Sequence, residues 1–128
     1  MLRADLLFKR LLQSRADHSF DKELLRLLRP PLLIVDDFGL QKLTSEQSHD
    51  LYEVVIERYG TSSIIMTSCR HVEEWMDLFE DPLVANSILD RLTHNAHQIL
   101  IEGESYRKKL GPQPRPIMKK VNAGSQSP

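Results

Sequence analysis

The chain opens with leucines at positions 2, 6, 7, 11 and 12. That spacing follows the 3.6-residue period and predicts an amphipathic helix over 2–14. Asp17 or Ser19 is suited to cap a second short helix, with Leu24, Leu25, Leu27 and Leu28 on its inner side. Arg29-Pro30-Pro31 stops it, because proline lacks an amide donor and disfavours helix in the residue before it. The pattern then changes. Leu32-Leu33-Ile34-Val35 is an unbroken apolar run, the signature of a strand buried on both faces of a parallel sheet. It ends in Asp36-Asp37-Phe38-Gly39.

Thr44 followed by Gln47 matches a capping box, so a further helix starts there. Leu51, Val54, Val55 and Tyr59 form its inner stripe, and Gly60 suits its C-terminal cap. Ser63-Ile64-Ile65-Met66 predicts a second buried strand, ending in Thr67-Ser68-Cys69-Arg70. A short helix over 72–79 turns Val72, Trp75, Met76 and Phe79 inward, and Asp81-Pro82 starts another carrying Leu83, Val84, Ile88, Leu89 and Leu92. Residues 98–101 read as a third, short strand. Helices alternating with apolar strands predict an α/β fold with a mostly parallel sheet.

The length of 128 residues suits one domain and excludes two. No apolar run approaches the roughly 20 residues of a membrane span, and no secretory h-region is visible. A single cysteine, Cys69, excludes an internal disulfide framework and fits a reducing, cytoplasmic setting. The net charge of −1 excludes a uniformly basic nucleic-acid binder but hides an asymmetry. Residues 1–106 carry 11 Lys+Arg against 18 Asp+Glu, whereas 107–128 carry 6 Lys+Arg and no acid. The later segment is also proline-rich, so 107–128 reads as a disordered basic tail able to touch nucleic-acid phosphate.

In open α/β sheets, ligands sit beyond the carboxyl ends of the strands. Asp36-Asp37 therefore stands out. Hard carboxylate oxygens there suit Mg²⁺, which takes one or two protein acids together with phosphate oxygens and water. The alternative is an acid that caps its own loop by bonding local amides. Thr67 and Ser68, after the next strand, place hydroxyls where a phosphate or an attacking water would lie; an ordinary strand-to-helix turn is the competing reading. His94 and His97 fall three apart, on one face of a helix, without a third ligand. His18, His49 and His71 form no constellation.

Three runs together resemble a known family. They are Leu32 to Leu40, Ile64 to Ser68, and above all Ile88-Leu89-Asp90-Arg91-Leu92-Thr93-His94-Asn95-Ala96-His97 with Gly103-Glu104-Ser105-Tyr106-Arg107. They are similar to the IstB-like ATPases, AAA+ helpers of insertion-sequence transposition related to DnaC-type helicase loaders. The resemblance covers about residues 4–110. It implies that Asp36 is the Walker B acid holding Mg²⁺ through water and that Asp37 polarises the attacking water. It implies that Thr67 to Cys69 are the sensor-1 segment, with Thr67 and Ser68 near the nucleotide; relatives usually show Asn, Gln or Asp where Cys69 stands. Arg91 matches an arginine finger that reaches a neighbouring subunit's ATP, and Arg107 matches the arginine of the Ser-Tyr-Arg ending at the nucleotide.

No Gly-x-x-x-x-Gly-Lys occurs in the 128 residues, although a nucleotide site of this kind uses one to cradle phosphates. The resemblance implies that the chain corresponds to the C-terminal part of such an ATPase, beginning just after the family's second strand. The fold expected is a partial P-loop NTPase layer structure with the central P-loop strand absent, over residues 1–106. Such a gap would leave apolar surface and strand edges bare and lower the stability. The function expected is a truncated ATP-binding protein of DNA transposition, inactive alone as an ATPase. ATP and Mg²⁺ are the implied cofactors. The implied partners are copies of itself or a full-length homologue, a transposase, and DNA through the assembly. A binding module that supplies Arg91 in trans, or a vestigial fragment, is the alternative. A phosphoacceptor receiver domain also pairs acids after one strand with Thr/Ser after another. It would need a lysine near the last strand, and residues 98–106 contain none.

Overall fold

The computed structural model describes residues 1–94 and 96–102. One compact unit spans Met1–Asn95, and a second begins at Ala96. In the first unit three parallel strands lie side by side in chain order: β1 (Leu2–Arg3), β2 (Leu32–Asp36) and β3 (Ser63–Met66). Leu2 pairs in register with Val35 and Arg3 with Asp36; Leu33, Ile34 and Val35 pair with Ile64, Ile65 and Met66. Helices α1 (Ala4–Ala16) and α2 (Phe20–Leu28) connect β1 to β2, and α3 (Ser45–Arg58) connects β2 to β3. After β3 come a 3-10 segment, Val72–Leu78, and α4 (Pro82–Thr93). This is the α/β class expected, a small all-parallel sheet consistent with a partial P-loop NTPase-like fold.

The first element differs from the pattern reading. Leu2 and Arg3 are strand, and the helix begins at Ala4. Its buried face is Ala4, Leu7, Phe8 and Leu11, spaced i, i+3, i+4, i+7, while Leu6 and Leu12 point outward. In α2, Leu27 is the buried residue and Leu25 is exposed. The capping box of α3 forms as predicted: Thr44 Oγ1 accepts from the Gln47 amide at 3.1 Å, and Gln47 Oε1 accepts from the Thr44 amide at 3.0 Å. Gly60 takes φ +78°, a left-handed cap that favours glycine. Tyr59 sits at the helix end and is half exposed, so it leaves the expected inner stripe. In α4, Asp81 accepts from the Leu83 amide at 2.9 Å, and Pro82 occupies the first turn. Leu83 is thereby placed on solvent. Residues 72–78 are a tighter 3-10 helix that buries Trp75 and Leu78 and leaves Met76 exposed.

Neither strand is buried on both faces. Along β2, Leu33 and Val35 are buried while Leu32 is 44% exposed; in β3, Ile65 is 47% exposed. Among the described residues the buried apolar side chains form one core cluster, drawn from every helix of the unit together with Leu33, Val35, Phe38, Leu43 and Phe79. The described helices therefore cover a single side of the sheet, and alternate strand residues face away from it. The strand expected at 98–101 is absent: Ala96 to Glu102 are neither helix nor strand. An apolar run becomes a strand only when a neighbouring ladder accepts its amides, and Ile99, Leu100 and Ile101 stand exposed. The boundary expected at residue 106, and the basic tail after it, lie outside the described residues.

Two charged groups are enclosed in this core. Arg58, fully buried at the end of α3, donates to the Leu27 carbonyl at 2.7 Å and the Ser63 carbonyl at 2.8 Å. It ties the last turn of α2, where carbonyls lack helical partners, to the start of β3. Asp50, buried on α3, accepts from Arg15 Nε of α1 at 3.1 Å, and Arg15 stacks its guanidinium 4.0 Å over Phe20. Burial pushes the Asp50 carboxyl above its ordinary value, against the opposing pull of Arg15.

Candidate functional site

The carboxyl ends of β2 and β3 are adjacent because those strands are register partners. That brings Asp36-Asp37 against Thr67-Ser68. The backbone fixes the frame first. The Thr67 amide donates to the Val35 carbonyl at 3.0 Å, and the Phe38 amide donates to the Thr67 carbonyl at 2.8 Å. Within that frame the Thr67 hydroxyl lies between the two acids. It donates to Asp36 Oδ1 and accepts from the Asp37 amide at 3.0 Å. Asp37 adopts φ +57°, a left-handed conformation that costs a non-glycine residue on the order of 1 kcal/mol or more.

The loop that follows is pinned from several sides. Ser68 Oγ donates to the Phe38 carbonyl at 2.6 Å and accepts from the Arg70 amide at 3.0 Å. Arg70 Nε donates to the Gly39 carbonyl. Phe38 is 1% exposed and meets Trp75 edge to face, ring centroids 5.0 Å apart. The Leu43 amide donates to the Leu78 carbonyl at 2.8 Å. Gly39 has φ +88°, and a Cβ there would lie 3.0 Å from Leu78 Cδ1. Only glycine suits that position. The aromatic anchor and the glycine thus hold a strained acid at the mouth of the sheet.

Beside this cluster, Arg3 is the register partner of Asp36, but its guanidinium pairs with the exposed Asp5 at 3.3 Å. Among the described residues no group of three or more His, Cys, Asp or Glu is placed to hold a metal. The donor set is nonetheless the one Mg²⁺ uses beside phosphate: one or two carboxylates, with water and ligand oxygens filling an octahedron. Asp36 and Asp37 fit that role. Among the described residues they are not part of a dedicated protein cage.

Arg91 is not part of this cluster. It donates to its own helix at the Ser87 carbonyl, 2.9 Å, and lies 5.9 Å over the Tyr59 ring. Tyr59 ends α3, whereas the acids precede its start. A helix of 14 residues is about 21 Å long, so the two groups sit at opposite ends of the sheet. One chain therefore does not bring Arg91 to its own Asp36. His94 and His97 do not share a helical face, because α4 ends at Thr93. Cys69 is exposed. Arg107 lies outside the described residues. Sequence reading missed the loop contacts of Arg70, which no period or motif marks.

The comparisons with known proteins point to one family. A model of the family "IstB-like ATP binding protein" matches residues 1–113. The chain is 42% identical over 106 residues to an insertion-sequence ATP-binding protein of Sinorhizobium fredii, covering 83% of this chain and 43% of that protein. It is 41% identical over 98 residues to an ATP-binding protein in an insertion sequence of Mycobacterium tuberculosis, 76% of this chain and 39% of that one. With the IS21 ATP-binding protein of Pseudomonas aeruginosa it shares 32% over 105 residues, 82% of this chain and 40% of the other. The chain spans less than half the length of these relatives. No helix among the described residues is long and apolar enough to cross a membrane. With its sheet, its acid pair at the strand ends and a match over most of its length, the chain belongs to the IstB-like ATP-binding protein family.

Proposed function

We propose that this chain supplies the acidic half of an ATP site in an insertion-sequence transposition assembly and does not hydrolyse ATP alone. The observation that carries the reading is the Asp36–Thr67–Asp37 cluster at the carboxyl ends of β2 and β3, in a chain whose relatives are named as ATP-binding proteins of insertion sequences. Asp36, the Walker B acid, holds Mg²⁺ through water. Asp37 polarises the attacking water. Thr67 and Ser68 belong to the same cofactor site and hold the loop that bears the acids. Arg107, in the Ser-Tyr-Arg ending, completes the nucleotide contacts. Magnesium supplies charge neutralisation for the phosphates when bound.

No Gly-x-x-x-x-Gly-Lys occurs among these 128 residues, so the phosphate cradle of this site is supplied from outside them. Arg91 lies over Tyr59, away from the acids, which supports the reading of a finger given to a neighbour. The partners proposed are copies of this chain or a full-length relative, the element's transposase, and DNA reached through the assembly in the cytoplasm. Mixing the chain with a full-length relative tests this. The relative's ATP turnover should change on addition, and Arg91→Ala in this chain should remove the effect. Turnover unaltered by either protein would reject the binding-module reading and leave a vestigial fragment. Turnover by the purified chain, abolished by Asp37→Asn, would refute inactivity alone.

A further inference from the structure

We propose that Thr67 is a positioning residue that latches the acid pair, and that its hydroxyl does not bind phosphate. The proposal rests on the reading of Asp36 as the cation-holding acid. A hydroxyl has one proton to donate and two lone pairs. The proton of Thr67 goes to Asp36 Oδ1, and one lone pair takes the Asp37 amide at 3.0 Å. One lone pair remains. A phosphate oxygen only accepts, so it bonds Thr67 only if Asp36 is released. A water molecule on a bound cation donates, and the remaining lone pair is free to receive it.

The latch has a rigid mount. The Thr67 amide and carbonyl are both engaged, by the Val35 carbonyl and the Phe38 amide at 3.0 and 2.8 Å. The backbone from which the hydroxyl projects is therefore fixed, and the contacts to Asp36 and to the Asp37 amide select its rotamer. Its two contacts fix different things. The bond to Asp36 sets which way the carboxylate faces. The bond from the Asp37 amide holds that residue in its left-handed conformation, and with it the direction in which Asp37 leaves the strand. Ser68 repeats the arrangement one residue on. Its proton goes to the Phe38 carbonyl, and the Arg70 amide takes a lone pair. Both hydroxyls after β3 thus commit their protons inside the protein, and both brace the 36–39 loop.

Amide hydrogen exchange of the ¹⁵N-labelled full chain tests the latch, using Thr67→Val and Thr67→Ser. The Phe38 amide is the internal control, because its acceptor is the Thr67 carbonyl, which every variant keeps. Thr67→Val should speed exchange at Asp37 by about tenfold and leave Phe38 unchanged; Thr67→Ser should restore Asp37. An unchanged Asp37 in the valine variant, or a serine variant as fast as valine, overturns the proposal. Should the valine variant unfold, the unmodified chain decides. A protected Thr67 hydroxyl proton with a cross-peak to the Asp37 amide supports the latch, and a freely exchanging hydroxyl refutes it. Mn²⁺ titration adds the functional readout. Affinity should fall about tenfold in Thr67→Val and recover in Thr67→Ser; equal affinity in all three proteins refutes a positioning role. Absence of any Mn²⁺ binding by the unmodified chain refutes the cation site itself, and the exchange data then decide the latch.

Discussion

Replacing Arg58 with Met gives the sharpest test of how this small unit holds together. Arg58 is fully buried, and its guanidinium meets no carboxylate among the described residues. Burial without such a partner pushes its pKa below the ordinary value. Two charge-assisted hydrogen bonds, each on the order of 1.5–3 kcal/mol, oppose that cost. Methionine fills a similar volume and removes the buried charge, which returns part of the desolvation cost. It also leaves the Leu27 and Ser63 carbonyls without a donor. The net loss should be about 3 kcal/mol, a large share of the stability of any small domain. With a urea slope of roughly 1–1.5 kcal/mol/M for this size, the unfolding midpoint should drop by about 2 M. Arg58→Lys should fall between, because one ammonium does not span both carbonyls. Urea titrations followed by circular dichroism measure all three proteins. A midpoint within about 0.5 M of the parent for Arg58→Met would show that the two bonds only offset the burial of the charge, and would refute the tie between α2 and β3.

Three further outcomes are expected. Burial raises the Asp50 pKa above 3.8 despite Arg15, so between 3.8 and that raised value the native state holds the proton more firmly than the unfolded chain. The contribution is fully present below 3.8 and is lost as pH rises through the native pKa; urea midpoints across acid pH should show this decline and Asp50→Asn should flatten it, while an unaltered slope refutes the assignment. Gly39→Ala meets both a positive φ and a 3.0 Å approach to Leu78 and should cost about 1–2 kcal/mol; a thermal midpoint equal to the parent's contradicts the tight loop. Thr44→Ala removes the capping box and should cost about 1 kcal/mol, read from the same denaturation curves; no change would mean the cap is frayed in solution.

The strands and helices were largely legible because each carries a local signal. The apolar runs at 32–35 and 63–66, the Thr44–Gln47 box and Asp81-Pro82 are written within a few residues, and each marks a strand or helix start that formed, although the two strands are buried on one face only. What the pattern misjudged depends on partners elsewhere. Leu2-Arg3 is strand only because Val35 and Asp36 accept it in register. Residues 98–101 share the apolar character of β3 but carry no strand. Leu32 and Ile65 look as buried as their neighbours until the helices are seen to cover one side. At the site, residue types marked Asp36, Asp37, Thr67 and Ser68 as a group, and the register of β2 and β3 brings them together. Which atom donates to which was not legible, since it follows from a left-handed Asp37 that no spacing rule encodes. The distance of Arg91 from the acids was equally hidden, because it depends on the direction in which α3 runs.

The measurement that bears most directly on the proposed site is paramagnetic broadening by Mn²⁺, followed amide by amide in the ¹⁵N-labelled chain. The account predicts broadening centred on residues 36–39 and 67–68, lost in Asp36→Asn with the fold intact. Broadening centred instead on the acids near Glu46 and Asp50, or undiminished in Asp36→Asn, would contradict it.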